Sequence, residues 1–347
     1  MQFRHILSIL AAIFLCACGN KEEEKKPGIQ ALSAAELNET KARADKGDAV
    51  AQLTMGRHHI YGLDENNLGK RDERFGKERA FRYLNDSAQN GNPEAMLLLS
   101  RLYRDGYGTD QDDKLWESWL VSAVKAKAPR ANLCYYYFLR INNRPKHAET
   151  LEAAMLEGDA EAQYLFSEIY SGKGEYKIAG NYAKAFEFAL SAAKQGHAGA
   201  QYTVAGMYEK GQGVPRDIKI AIDWARKSAL QGDYLKILIY GNLLQSYAVE
   251  TKDPKALVNA YALWIAEQRL IKRKVIQDDN DTPDFSTVRD VKMPRLKALM
   301  TTDQCAEAER VSETTYFELE NGIRGKDRFL RDAEFNFLLT GKLPKFN

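Results

Sequence analysis

The sequence predicts an all-α fold, a solenoid of helix–turn–helix repeats, and three observations predict it. Proline is scarce, at 9 in 347 residues, while Ala, Leu, Lys, Glu and Tyr recur throughout, a mix that favours helix over sheet. One pattern of Ala, Tyr and Gly returns along the chain. Its glycine turns recur at helix-pair spacing: Gly158 to Gly196 is 38 residues, Gly196 to Gly232 is 36, and Gly47 to Gly91 is 44. Such periods fit a helix–turn–helix unit that cannot bury its apolar face alone and must stack.

In chain order, the first element is an export signal. A basic start, Met1-Gln2-Phe3-Arg4-His5, precedes an apolar run from Ile6 to Leu15. The run is too short to span a bilayer, which needs about 20 apolar residues, and reads as secretory. Its end, Leu15-Cys16-Ala17-Cys18, resembles the bacterial lipobox. That resemblance implies cleavage after residue 17 and lipidation of Cys18. Gly19, where an inner-membrane retention signal would carry Asp, points to the periplasmic leaflet of the outer membrane. Residues 18–30 are polar, charged and end in Pro27-Gly28, the composition of a flexible tether.

Ser33-Ala34-Ala35-Glu36 is a capping-box pattern and predicts a lone helix from Ala34 to Lys46. The repeats follow, and the solenoid is placed at 31–267 with about five to six units. The second and fifth copies align best. Ala95, Tyr103, Gly106 and Gly108 match Ala200, Tyr208, Gly211 and Gly213; then Asp112 precedes Trp119 by seven residues, as Asp217 precedes Trp224. The first copy starts at Ala51 and the fourth at Ala162. The third, from Ala131, is degenerate and its loop lacks glycine; the sixth is recognisable mainly from Ala260 to Trp264. Within the fifth copy Ala200, Val204 and Tyr208 share one helix face. Ala205 and Gly206 are expected to keep the backbone slim for a neighbouring helix. Gly211 and Gly213 permit the positive φ that ends the first helix, and Asp217 caps the second.

These motifs resemble the SEL-one-like repeat family, relatives of the tetratricopeptide repeats, over about residues 47–267. The resemblance implies a right-handed α-solenoid that binds protein ligands on its concave face and works as an adaptor, not an enzyme. Residues 268–347 are read as a C-terminal helical module. Gln277–Pro283 is an acidic loop, Val291–Met300 a short helix, Asp303–Glu320 a longer one closed by Asn321-Gly322, and Asp327–Leu339 a last one.

Composition narrows the function classes. Lys plus Arg number 50 against 48 Asp plus Glu, so no basic face points to nucleic acid. No nucleophile elbow, phosphate loop, zinc-helix motif or Cys-x-x-Cys pair follows the signal, and no catalytic residue, metal site or cofactor is assigned. The Gly-x-Gly pairs lack a preceding strand, and His58-His59 do not share a helix face. Asp278–Asp281 lack the glycine and terminal Glu of a calcium loop.

Candidate partner-binding residues come from two features. The residue six after each leading Ala varies between copies: Arg57, Arg101, Tyr137, Glu168, Gly206. Variation at one structural place is where specificity could be written. The run Tyr135-Tyr136-Tyr137-Phe138 covers every direction of a helix, so either some rings face outward as interface anchors or the degenerate copy packs irregularly. Cys134 and Cys305 remain besides Cys18, and an oxidising periplasm would permit a disulfide between them.

The lipobox, the repeats and the module around Met293–Gly322 together look like the immunity lipoproteins found beside phospholipase effectors of type VI secretion. That likeness implies a protein partner, a secreted lipase or phospholipase effector, with membrane contact only through the lipid anchor. An outer-membrane scaffold for envelope assembly or regulation shares every feature except the toxin.

Overall fold

The computed structural model describes residues 33–61, 73–172, 180–231, 234–273 and 291–331. The signal, Cys18, the tether, the acidic loop with Asp278–Asp281, and the last predicted helix beyond 331 lie outside these residues. The described chain is all-α. Helix α1 (Ala34–Ala44) leads six helix pairs: α2 (Ala49–Tyr61) with α3 (Glu73–Gln89), α4 (Pro93–Asp105) with α5 (Asp113–Lys125), and α6 (Ala131–Ile141) with α7 (His147–Leu156). Then come α8 (Ala160–Tyr170) with α9 (Tyr182–Lys194), α10 (Ala198–Lys210) with α11 (Ile218–Ala229), and α12 (Tyr234–Thr251) with α13 (Pro254–Lys272). Helices α14 (Met293–Lys297) and α15 (Thr302–Arg331) complete the described chain. Within each unit helices adjacent in sequence pack on one another, as α2 does on α3 and α10 on α11, the packing of helical repeats. Two compact units result, one up to Ala162 and one from Gln163 to Arg328.

Local chemistry marks several of the boundaries. Ser33 and Glu36 form the predicted capping box: the Glu36 carboxylate accepts the Ser33 N–H at 2.8 Å, and Ser33 Oγ accepts the Glu36 N–H. Asp112, Asp217 and Asp253 cap α5, α11 and α13 through two backbone N–H groups each. Gly106 and Gly211 end α4 and α10 at φ of 62° and 68°. The second glycine of each loop has another duty. A Cβ on Gly108 would strike the Lys77 carbonyl, and one on Gly213 would strike the Tyr182 carbonyl. The Gly-x-Gly loop is therefore where one repeat's turn lies against the backbone of the preceding second helix.

The turns also carry a polar seam. Ser87 Oγ donates to the Ala49 carbonyl at 2.6 Å, and Ser228 Oγ repeats this on Ala198 at 2.7 Å. Gln52 donates to the Ala44 carbonyl and Gln201 to that of Ala193. Asn90 then donates to Gln52 and Gln231 to Gln201. Buried amides are thus satisfied the same way in two distant copies.

The third copy departs from this scheme. Lys127, Arg130, Asn143 and Lys146 adopt positive φ of 51° to 72° at the two turns flanking α6. Lys127 N donates to the Val124 carbonyl just as Gly91 N does to Ala88 and Gly196 N to Ala193, so a lysine fills a glycine place.

In the second unit the core centres on Trp264, which is fully buried. Helix α15 lies on it through Ala308, Tyr316, Leu319 and Ile323, with Leu257, Leu263 and Leu270 beneath. The predicted stop at Asn321-Gly322 is overturned, because α15 continues to Arg331. Leu319 and Ile323 are buried on either side of that pair, and packing of the face outweighs the poor helix propensity of Asn and Gly. Among the described residues no helix is long and apolar enough to cross a membrane.

Candidate partner-binding face

The first helix of each pair carries the six-after-Ala position, and the structure places these residues in different environments. In the first unit they bond across to the next first helix. Arg57 on α2 pairs with Glu94 on α4 at 2.9 Å, both half-exposed. Arg101 on α4 is buried, 2% exposed, with Nη2 3.5 Å from Cys134 Sγ on α6. Tyr137 on α6, 1% exposed, donates its hydroxyl to Glu161 on α8 at 3.3 Å. In the second unit Glu168 on α8 is half-buried and accepts the Tyr164 hydroxyl of its own helix at 3.0 Å. Gly206 on α10 has nothing within 4 Å of where a Cβ would stand.

Three sequence expectations are corrected here. Arg101, Tyr136 and Tyr137 offer no surface to a partner; they are core residues. For the two tyrosines the reason is that α6 is packed by the helices on either side of it. Trp116 of α5 packs edge-on against Phe138 at 4.7 Å, His147 of α7 lies 6.2 Å from Tyr136, and Tyr136 packs on Tyr137 at 4.9 Å. Of the aromatic run only Tyr135 is half-exposed, stacked on Phe138. Gly206 does not clear space for a neighbouring helix: Ala205 makes that contact, in a cluster with Ala225 and Leu243. Cys134 and Cys305 are each a thiol outside any disulfide, the first buried and the second partly so.

A feature that the sequence reading passed over is the residue just before each leading Ala. It is Glu94 in the second copy and Glu161 in the fourth, the two acids that receive Arg57 and Tyr137. The signal was legible, since an acid six residues before each of Ser100 and Ser167 sits in the same register. In the fifth copy this place is Gly199. A Cβ there would lie 3.4 Å from Tyr164 Cζ and 3.1 Å from His197 Cε1. Tyr164 and His197 stack at 4.6 Å, and His197 Nδ1 caps α10 by accepting the Ala200 N–H at 2.9 Å. One turn on, Tyr202 is 42% exposed. His58 and His59 are held by packing: His59 stacks on Tyr83 at 5.6 Å with His58 edge-on to it.

The chain is similar to known proteins over parts of its length. The alginate biosynthesis protein AlgK of Azotobacter vinelandii is 30% identical over 140 residues, covering 40% of this chain and 23% of that protein. The chain therefore spans under a quarter of the length of that relative. Among solved structures, a Sel1 repeat protein from Oxalobacter formigenes is 20% identical with a TM-score of 0.47, over 62% of this chain and 87% of its own. Immunity protein Pa5087 from Pseudomonas aeruginosa is 16% identical with a TM-score of 0.38, over 94% of each chain. The family description "Sel1 repeat" matches residues 93–115, 160–197 and 198–233, which are α4 into α5, α8 through α9, and α10 through α11. The chain carries Sel1 repeats.

Proposed function

We propose that the chain is an exported lipoprotein, held by Cys18 at the periplasmic face of the outer membrane, that binds and blocks a secreted lipase or phospholipase effector as an immunity protein. Sel1 repeats are protein-binding modules, and a lipid anchor at the lipobox-like Leu15–Cys18 would hold them where such an effector acts. The observation that carries the reading is the combination of lipobox, repeats and a C-terminal helix seated on the last repeat, with α15 packed over Trp264. Inhibition would be by occlusion, the repeats covering the effector's active site. The test is to delete the gene and challenge the cells with armed kin. Sensitivity that is restored by the wild-type gene but not by Cys18→Ser supports the reading. Full resistance of the deletion strain sinks it.

A second reading is an outer-membrane scaffold for envelope assembly or regulation. The stretch 30% identical to an alginate biosynthesis protein favours it. Capture of envelope-assembly proteins from the chain's own cells, with envelope leakage on deletion and no secretion system present, would establish that reading instead.

A further inference from the structure

Two links between first helices of the first unit share one register: the residue six after a leading Ala bonds to the residue just before the next leading Ala, whereas Arg101 approaches Cys134 instead. Arg57 meets Glu94 at 2.9 Å, and Tyr137 meets Glu161 at 3.3 Å. In the same register of the second unit the residue six after the leading Ala is Glu168 and the residue before the next leading Ala is Gly199, which has no side chain to bond. The place is local to Glu168 by geometry. Its carboxylate accepts the Tyr164 hydroxyl at 3.0 Å, and Tyr164 Cζ is 3.4 Å from the missing Cβ of Gly199. The walls are aromatic, Tyr164 stacked on His197 at 4.6 Å. The next residue of the column, Gly206, leaves its side of α10 open, with nothing within 4 Å. A mid-helix glycine costs about 1 kcal/mol relative to alanine, and none of the described residues lies close enough to require it there.

We propose that this slot, formed by Tyr164, Glu168, Gly199 and Gly206, receives an arginine or lysine side chain of the protein partner, whose backbone passes close over Gly206. A cation from the partner completes with Glu168 the cross-link that Arg57 and Glu94 make within the chain. The aromatic wall suits a guanidinium, which stacks on rings and bonds a carboxylate with paired donors. The proposal rests on the reading of the chain as a protein-binding module. It does not depend on whether the partner is an effector or an envelope component.

Three variants test it. Glu168→Gln removes the charge and keeps the acceptor for Tyr164. Gly199→Lys supplies the cation from within the chain. Gly206→Ala adds one methyl to the open face. The probe is a random dodecapeptide phage library selected on the mature chain without its lipid. Enriched peptides sharing a basic residue, binding at least about tenfold more weakly to Glu168→Gln and Gly199→Lys, support the slot. Gly206→Ala should melt at or above the wild-type temperature and still lose affinity, a combination that damage to the fold does not produce. Apolar or acidic peptides, no enrichment, or binding unchanged by all three variants would overturn the slot. An effector still captured from cells by the Gly199→Lys variant would remove the slot and leave the immunity reading standing. Basic peptides that bind while deletion leaves the cells resistant would do the reverse.

Discussion

At the scale of single residues, the same residue type performs opposite tasks, and burial decides which. Arg130 and Asp159 form a buried pair at 2.6 Å with side chains 10% and 7% exposed. The second oxygen of Asp159 also accepts the N–H groups of Glu161 and Ala162 at the start of α8. Asp159→Ala leaves a buried guanidinium without its carboxylate and a helix start without its acceptor. Urea unfolding should show a loss of about 3–5 kcal/mol. Arg57–Glu94 at the surface should cost less than about 1 kcal/mol on the same substitution to alanine. Glycine shows the same contrast. A Cβ on Gly241 in α12 would collide with the Trp264 indole, so Gly241→Ala should destabilise by about 1–3 kcal/mol. At Lys127 the strain runs the other way. A lysine at φ of 54° holds a left-handed place that glycine fills in other copies. Lys127→Gly should stabilise by roughly 0.5–1 kcal/mol, read as a higher thermal midpoint.

At the scale of elements, the helices were legible where their ends carry their own chemistry. Ser33 and Glu36, Asp112, Asp217, Gly106 and Gly211 mark boundaries through bonds made within four residues, and such bonds depend little on the rest of the fold. What was illegible depends on neighbours. The burial of Tyr136 and Tyr137 is set by α5, α7 and α8, and no spacing within α6 reveals it. The run of α15 through Asn321-Gly322 is set by the Trp264 cluster. The Gly199 slot lay between these cases: its residues were in view, but the link joining Arg57 to Glu94 appears only once the helices are stacked. The local bonds make a pH prediction. Asp48 is held below the ordinary carboxylate range by the N–H of Ala51 and then by Arg43, at 2.6 Å. A carboxylate depressed on folding contributes stability above its unfolded value, about 3.9, and loses it as pH falls through the folded value. Asp48→Asn keeps an acceptor for α2 but cannot ionise. The stability gap between wild type and Asp48→Asn should therefore be present at neutral pH and close below about pH 4.

At the scale of the whole molecule, a repeat stack has ends, and each end leaves an apolar face that must be covered. In the second unit α15 does this. Ala308, Tyr316, Leu319 and Ile323 complete the cluster around Trp264, while Arg226–Glu318 at 2.7 Å and Arg269–Glu313 at 2.6 Å form its rim. The magnitudes separate the two contributions. Burying a large apolar side chain is worth about 1.5–3 kcal/mol, and an exposed ion pair mostly under 1 kcal/mol. The helix is thus held by its apolar face, and the ion pairs fix its register. Leu319→Ala should cost about 2–5 kcal/mol, and Glu318→Ala under 1 kcal/mol, in chemical unfolding of the second unit. Cutting the chain after Met300 should expose the Trp264 cluster, shift its emission to the red and raise binding of an apolar dye. Native emission and an unchanged midpoint after that cut would show that α15 is an appendage. Its exposed Phe317, 54% accessible on the outer side, would then be the part of the module to test against a partner.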